Sequence, residues 1–513
     1  MFRGLIMSEK NYISIHNSEA FPVKSIPIVD IDDFRETVIT EIERGKRLAS
    51  FFGRPLNESA VCLTAVIADD KRGCLQILST EVEKSYQSLT PDCSQANCFE
   101  REIAEQWGIV PLGHPWFKPL RFHHSYRKEY DAWERGLDEE ILPAHTDFYQ
   151  VSGDEVHEVA VGPVHAGVIE PGHFRFQCSG ERVFHLEIAL GFQHRGIERA
   201  IISGDKSKIP HYMETLAGDT TIGHSVAYAQ AMEALSGCLV SGRAQILRGI
   251  MLELERMANH VGDIGALAND VAFLPTASYC GRLRGDYLNM TAMICGNRFG
   301  RNMVRPGGVM YNLDASLISQ LSRKLEEVFS DTENAIGLMW DSPSAIGRFE
   351  DTGKISREIA EELGLVGVAA RACGFERDVR FDFPTGIYCF SQIPVATFST
   401  CDVFARAYVR GLEIQRSKSF ICEQLETITG DDIFTVPGDS APDMAVVSML
   451  EGWRGEICHF AMTGADGNLL HYKVVDPSFH NWNGLAASMR NEEVSNFPIC
   501  NKSFNLSYCG HDL

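Results

Sequence analysis

Between Gly242 and Leu267 the apolar residues Leu247, Ile250, Leu254, Met257, Val261 and Ile264 recur at three- and four-residue steps. That spacing places them on one face of a helix. A second helical pattern runs from Ser316 to Trp340. The chain upstream has a different texture. Ala60 to Ala68 (AVCLTAVIA) is an apolar run, interrupted only by Thr64, that predicts a strand, and Arg35 to Ile42 predicts a helix. Residues 1–130 therefore read as a small α/β domain. The charged stretch Arg127 to Glu140 (RKEYDAWERGLDEE) reads as a linker or a solvated helix, and the linker is set at 131–150. From Glu155 to Ile188 three strand-like runs, VHEVAVG, HFRFQC and VFHLEI, are separated by Gly-rich turns. Helical patterns then dominate the unit 151–513. The expected class is α+β: a small α/β domain, then a mainly helical domain with a small antiparallel sheet at its start. No internal repeat is visible.

Composition narrows the function. The 513 residues are 44% hydrophobic and 23% charged, an ordinary globular balance. A formal charge of -22 repels phosphate backbones and argues against nucleic acid. No apolar run reaches about 18 residues, so no direct membrane span is expected. The start, MFRGLIMSEKNYISIHN, lacks the apolar core of a signal peptide, and Met7 is a second candidate start to Met1. A cytoplasmic protein is expected. The fifteen cysteines are scattered without a C-x-x-C, so they read as free thiols in a reducing compartment rather than as zinc or iron–sulfur ligands.

The motifs carry a family resemblance. They include Gly162-Pro163-Val164-His165-Ala166-Gly167, Glu170-Pro171-Gly172-His173-Phe174 and Phe192-Gln193-His194-Arg195-Gly196-Ile197-Glu198. His224-Ser225-Val226-Ala227-Tyr228-Ala229, Asn259-His260-Val261-Gly262-Asp263, Arg305-Pro306-Gly307-Gly308-Val309 and Arg454-Gly455-Glu456 follow in order, as does the ending Ser503-Phe504-Asn505-Leu506-Ser507-Tyr508-Cys509-Gly510-His511-Asp512-Leu513. Together they resemble the large subunit shared by membrane-bound, energy-converting nickel–iron hydrogenases and respiratory complex I, where it is the D subunit. Glu100-Arg101-Glu102-Ile103, Trp107-Gly108-Ile109 and Gly113-His114-Pro115 in the first unit are similar to the complex I C subunit.

The resemblance implies two C-x-x-C metal motifs, and here the four cysteine positions carry Ala217, Thr220, Ser478 and Asn481. Nickel–iron chemistry needs soft, bridging thiolates. A methyl group, two hydroxyls and an amide do not replace them, so no metal is expected on this chain. The minor alternatives are a hydrogenase with unconventional metal ligands and a hard-metal site from Ser478, His480 and Asn481, the latter lacking charge to compensate a cation. Complex I members also lack these cysteines, and their cleft binds a quinone head group beside an iron–sulfur subunit. By that resemblance Asp263 matches the acid that pairs with a quinone-binding histidine, and His173, in the loop between the first two strands, is the candidate histidine. A histidine can give a proton to a quinone oxygen, and a carboxylate fixes its tautomer. Alternatively, His260 and Asp263, three apart on one helix, form a local polar contact.

The resemblance further implies that Glu198 lines a proton route, although an acid on a helix is otherwise a solvated face. Arg301 and Arg305 would flank the partner's 4Fe-4S cluster and act on its potential, or serve as structural ion pairs. His224 is a family residue or a satisfied core histidine. Gly307-Gly308 reads as a turn needing permissive backbone angles. Two departures stand out: the tyrosine that complex I places against quinone falls at Gly218, and Thr215 replaces an arginine near the cluster. His123 and His124 receive no role. The expectation is a subunit without a cofactor of its own, peripheral on the inner face of the cell membrane. Its partners would be a small iron–sulfur (complex I B-like) subunit and a membrane arm of antiporter-like subunits. It would pass electrons to a quinone or another acceptor and couple that step to ion translocation. The competing reading is a scaffold with a vestigial cleft.

Overall fold

The computed structural model describes residues 11–513 except 168 and 431; both candidate starts, Met1 and Met7, lie outside them. The architecture is mixed α and β with small antiparallel sheets. The first sheet orders Ile13–Ile15, Cys74–Val82, Val61–Asp69 and Arg47–Pro55, each antiparallel to its neighbour. The helix Ile31–Glu43 starts at Asp30, whose carboxylate accepts from the Asp32 amide, and buries Phe34 and Val38. The charged stretch after residue 127 forms no helix. It is tied down instead: Arg127 donates to the carbonyls of Trp107 and Glu58 and covers the Tyr130 ring.

The three expected strands after residue 155 pair as one antiparallel sheet, in the order Arg182–Ala189, His173–Ser179, His157–Val161. The helix Gly242–Asp270 begins where Ser241 accepts from the Ala244 amide. Its six predicted apolar residues are all buried, and it packs against Leu274–Cys295 and Val403–Thr427. The second expected helix spans Ala315–Trp340.

A further sheet had no counterpart in the sequence reading, which within the second unit placed a sheet only at its start. Met444–Glu451, Glu456–Thr463 and Leu469–Val475 form a meander, and Phe21–Pro22 adds its outer strand. Asn17 anchors this early segment by accepting from the Met449 amide at 2.8 Å and donating to its carbonyl at 2.9 Å. Ala445, Val447, Met449, Phe460 and Phe479 pack into the same apolar cluster as Phe51, Leu63, Ile77 and Phe99 of the N-terminal sheet and helices. Apolar burial across that seam holds the two ends of the chain together.

Candidate functional site

The two segments that lack cysteines meet in the interior. Leu216 to Ser225 leads into the helix Thr221–Ser236, and Asp476 caps the helix Pro477–Ser488 by accepting from the Ser478 amide at 2.8 Å. His224 joins them: its Nε2 lies 3.1 Å from Asp476 Oδ2. Its Nδ1 lies 3.1 Å from His459 Nε2, and His459 Nδ1 lies 2.8 Å from the Tyr472 hydroxyl. All four residues are buried. One assignment of protons satisfies every contact: Tyr472 donates to His459, His459 to His224, and His224 to Asp476. Burial pushes His459 well below the usual imidazole range and Tyr472 well above the usual phenol range, so both stay neutral. Burial alone would raise Asp476, but the His224 hydrogen bond and the charge of Arg454 outweigh it and hold the carboxyl down. The arrangement is a directional hydrogen-bonded chain ending on a carboxylate.

The vacated positions are engaged by protein. Ala217 is buried and offers no donor. The Thr220 hydroxyl accepts from Trp453 Nε1 at 3.1 Å, and Ser478 Oγ accepts from the Ser507 amide at 2.8 Å. Asn481 accepts from the Val366 amide at 3.0 Å and donates to its carbonyl at 3.1 Å. These groups do not fit a nickel–iron centre: none is a thiolate, and their oxygens already bond to protein. Among the described residues no cluster of three His, Cys, Asp or Glu side chains could hold a metal ion.

Gly218 differs. It is exposed, and a Cβ built there meets nothing within 4 Å. Beside it, Asp219 is gripped by Arg454 through two bonds of 2.5 and 2.8 Å. The loop carrying Glu170 and Gly172 reaches the same region. Glu170 accepts from the Tyr508 and Cys509 amides, and Gly172 abuts the Tyr508 ring. A narrow neighbouring recess is walled by Asp219, Ile222, Glu255, Asn259, Arg284 and Arg298. Burial pushes the Glu255 carboxyl up to about 8, despite amide bonds from Ile222 and Gly223 and with a contribution from the Asp219 charge.

The remaining predicted residues sit in separate surroundings. Asp263 is buried and accepts from Arg410 Nε at 2.9 Å and Asn505 Nδ2 at 2.6 Å, with Lys502 at 3.6 Å. His260 turns instead to Glu413, at 2.8 Å, so the local His260–Asp263 contact does not form. His173 is the first residue of its strand rather than a loop residue; it packs on Phe148 and takes a 3.3 Å contact from Arg175 Nε. Among the described residues no hydrogen bond or ion pair joins it to Asp263. Burial lowers its pKa. Glu198 accepts from Lys473 Nζ and the Val474 amide, each at 2.9 Å. Burial would raise that carboxyl, yet Lys473 and Arg121 bring it down. Lys473 also holds Glu102 of the N-terminal part at 2.6 Å, so Glu198 belongs to a buried ionic seam and not to a solvated face. Arg305 pairs with Glu214 at 2.7 Å, while Arg301 is exposed.

Sequence reasoning missed His459, Tyr472 and Glu255. The strand Leu469–Val475 presents Tyr472 to the histidine chain and Lys473 to the ionic seam. The available signal was a set of polar residues, His459 and Lys473 among them, inside otherwise apolar runs. Among the described residues no helix is long and apolar enough to cross a membrane.

Comparison with known proteins finds relatives along much of the chain. Residues 270–439 match the family model of the respiratory-chain NADH dehydrogenase 49 kDa subunit, and residues 55–135 match that of the 30 kDa subunit. The chain is 26% identical to formate hydrogenlyase subunit 5 of Escherichia coli, over 91% of this chain and 84% of that protein. It is 29% identical to the carbon monoxide-induced hydrogenase of Rhodospirillum rubrum, over 67% of this chain and 95% of that protein. It is 28% identical to NADH-quinone oxidoreductase subunit 4 of Thermus thermophilus, over 70% of this chain and 95% of that protein. With regions similar to the 30 kDa and 49 kDa subunits in one polypeptide, the chain fits the family that unites complex I subunits with energy-converting hydrogenase large subunits, as a subunit of an oxidoreductase complex.

Proposed function

We propose that this chain is the large subunit of a membrane-associated, complex I-like complex that passes electrons from a partner's 4Fe-4S cluster to a quinone or another acceptor, without a nickel–iron centre. The partners are a small iron–sulfur subunit and a membrane arm of antiporter-like subunits, the chain lies on the inner face of the membrane, and the electron step is coupled to ion translocation. The carrying observation is the buried Tyr472–His459–His224–Asp476 chain, which ends on the carboxylate that caps the helix bearing the vacated positions Ser478 and Asn481. Reducing a quinone consumes two electrons and two protons, and an aligned chain of neutral donors can reprotonate a site shielded from bulk water. Asp263, His173 and Glu198 remain candidates for the acceptor and proton sites.

The bonds of Asn481 and Ser478 favour a second reading, a scaffold whose former metal site is closed by protein. Gly218→Trp separates the two. The position has room and no positive φ, so the side chain fills the opening without straining the backbone. In the anaerobically purified complex, reoxidation of the reduced partner cluster by a soluble quinone analogue is expected to slow at least about tenfold, a barrier increase of roughly 1.4 kcal/mol. An unchanged rate, or no quinone-dependent reoxidation in the wild type, supports the scaffold.

A further inference from the structure

A second cleft, of about 180 Å³, lies between the helix Asn97–Trp107, the strand Arg182–Ala189 and the helix Pro477–Ser488. Cys98, Arg101, Trp116, Lys118, Asn483 and His511 are on its walls. The Cys98 thiol faces the His511 imidazole, and Asn483 Nδ2 points at Cys98 Sγ from 3.7 Å. On its other side His511 Nδ1 contacts Asp512 Oδ1 at 2.9 Å, and its ring stacks on Phe479. A carboxylate, an imidazole and a thiol thus stand in series, and Cys98, itself only 9% exposed, forms part of the cleft wall. That order is how a thiol is converted to a nucleophile: the carboxylate orients the imidazole and the imidazole takes the thiol proton.

We propose that Cys98 is a reactive nucleophile that undergoes exchange with small anionic disulfides entering this cleft. The Cys98 sulfur attacks one disulfide sulfur, a new S–S bond forms as the old one breaks, and the leaving thiolate takes the proton held on His511. The charges facing the pair agree with this. Burial would raise the Cys98 thiol, but the His511 hydrogen bond and the Arg101 charge bring it below the ordinary thiol range. Burial and the Arg121 charge lower His511, yet the Asp512 and Cys98 contacts outweigh them and raise it. Lys118 is neutralised by Glu187. Arg101 uses Nε and Nη2 on the carbonyls of Lys118 and Pro119 and puts a fixed positive charge on the wall, suited to a carboxylate on the incoming disulfide.

The test uses the full chain and glutathione disulfide, with each cysteine quantified by peptide mass mapping from pH 5.5 to 9. Exposed Cys389, whose thiol burial holds above the ordinary value, is the internal reference. An ordinary thiol is about 1% ionised two pH units below its pKa. After the lower nucleophilicity of an acidic thiolate is allowed for, Cys98 is expected to react about tenfold faster than Cys389 at pH 6.5. Its rate should inflect at lower pH, and His511→Gln should abolish the advantage. Slower reaction of Cys98 than of Cys389, or parallel pH profiles for the two, overturns the proposal from wild-type protein alone. A folded His511→Gln protein in which the advantage persists overturns it as well.

Discussion

Asp263→Ala isolates a structural role from the catalytic one this residue invites. Arg410 is buried, and Asp263 is its charged partner at 2.9 Å; the carbonyls of Arg406 and Phe504 supply the other bonds. Removing the carboxylate leaves a guanidinium uncompensated in the core and frees Asn505 of its 2.6 Å acceptor. Breaking one side of a buried pair costs about 3–5 kcal/mol. At about 2 °C per kcal/mol for a large domain, the melting temperature should fall by roughly 6–10 °C. Asp263→Asn keeps an oxygen for Arg410 but turns an amide donor toward Asn505, and should cost about 1–3 kcal/mol. Replacing both charges, Asp263→Leu with Arg410→Met, removes the uncompensated charge and should recover most of the loss. Differential scanning fluorimetry of the four proteins reads this directly. A melting temperature for Asp263→Ala within 1 °C of wild type would refute the reasoning, as would a double variant no more stable than the single. The corollary is practical: an electron-transfer defect in Asp263→Ala reports misfolding first, and the role of the carboxylate in chemistry has to be read in Asp263→Asn.

Two further expectations concern pH and backbone. Burial lowers the pKa of His114, His123 and His194 to about 4 and of His471 and His480 to about 3. Each folded value lies below the ordinary 6.5, so the stability these groups contribute is complete above pH 6.5 and is lost as pH falls toward about 4 for His114, His123 and His194 and about 3 for His471 and His480. With about 1.4 kcal/mol per group per pH unit as an upper limit, the urea midpoint should drop clearly between pH 7.5 and 5.5; a flat midpoint would contradict the buried, neutral assignment. Gly307 has φ +99°, and a Cβ there would lie 1.9 Å from the Thr435 carbonyl oxygen. Gly307→Ala is therefore expected to destabilise by more than about 2 kcal/mol, and equal urea midpoints for variant and wild type would show that the turn relaxes freely.

The helices Gly242–Asp270 and Ala315–Trp340 were legible because one face is apolar and the other is not. The three strands after residue 155 were legible because turns punctuate them. The meander from Met444 to Val475 was not named: its strands are buried almost throughout, so they lack the alternation that marks a half-exposed strand. Their polar residues look like surface positions in the sequence, yet Glu456, His459 and Lys473 are buried and paired inside. His224 stood in a recognisable motif, and Asp476 lies two residues before Ser478, one of the vacated cysteine positions. Their link through His459 to Tyr472 crosses over 200 residues of chain, and no local spacing encodes it.

The pairing of Phe21 with Ala445 has a consequence for synthesis on the ribosome. Roughly 420 residues separate the two strands. At about 5–20 residues per second, the early strand and the apolar face behind it wait roughly 20–80 s for their partner to be made. During that interval Ile15, Phe51 and Leu63 lack the cover of Val447, Met449 and Phe460, and the unpaired edge is open to other nascent chains. Slowing translation ahead of codon 444 should thus lower soluble yield, and chaperones that bind exposed apolar strands should engage the N-terminal sheet until roughly the last seventh of the chain emerges.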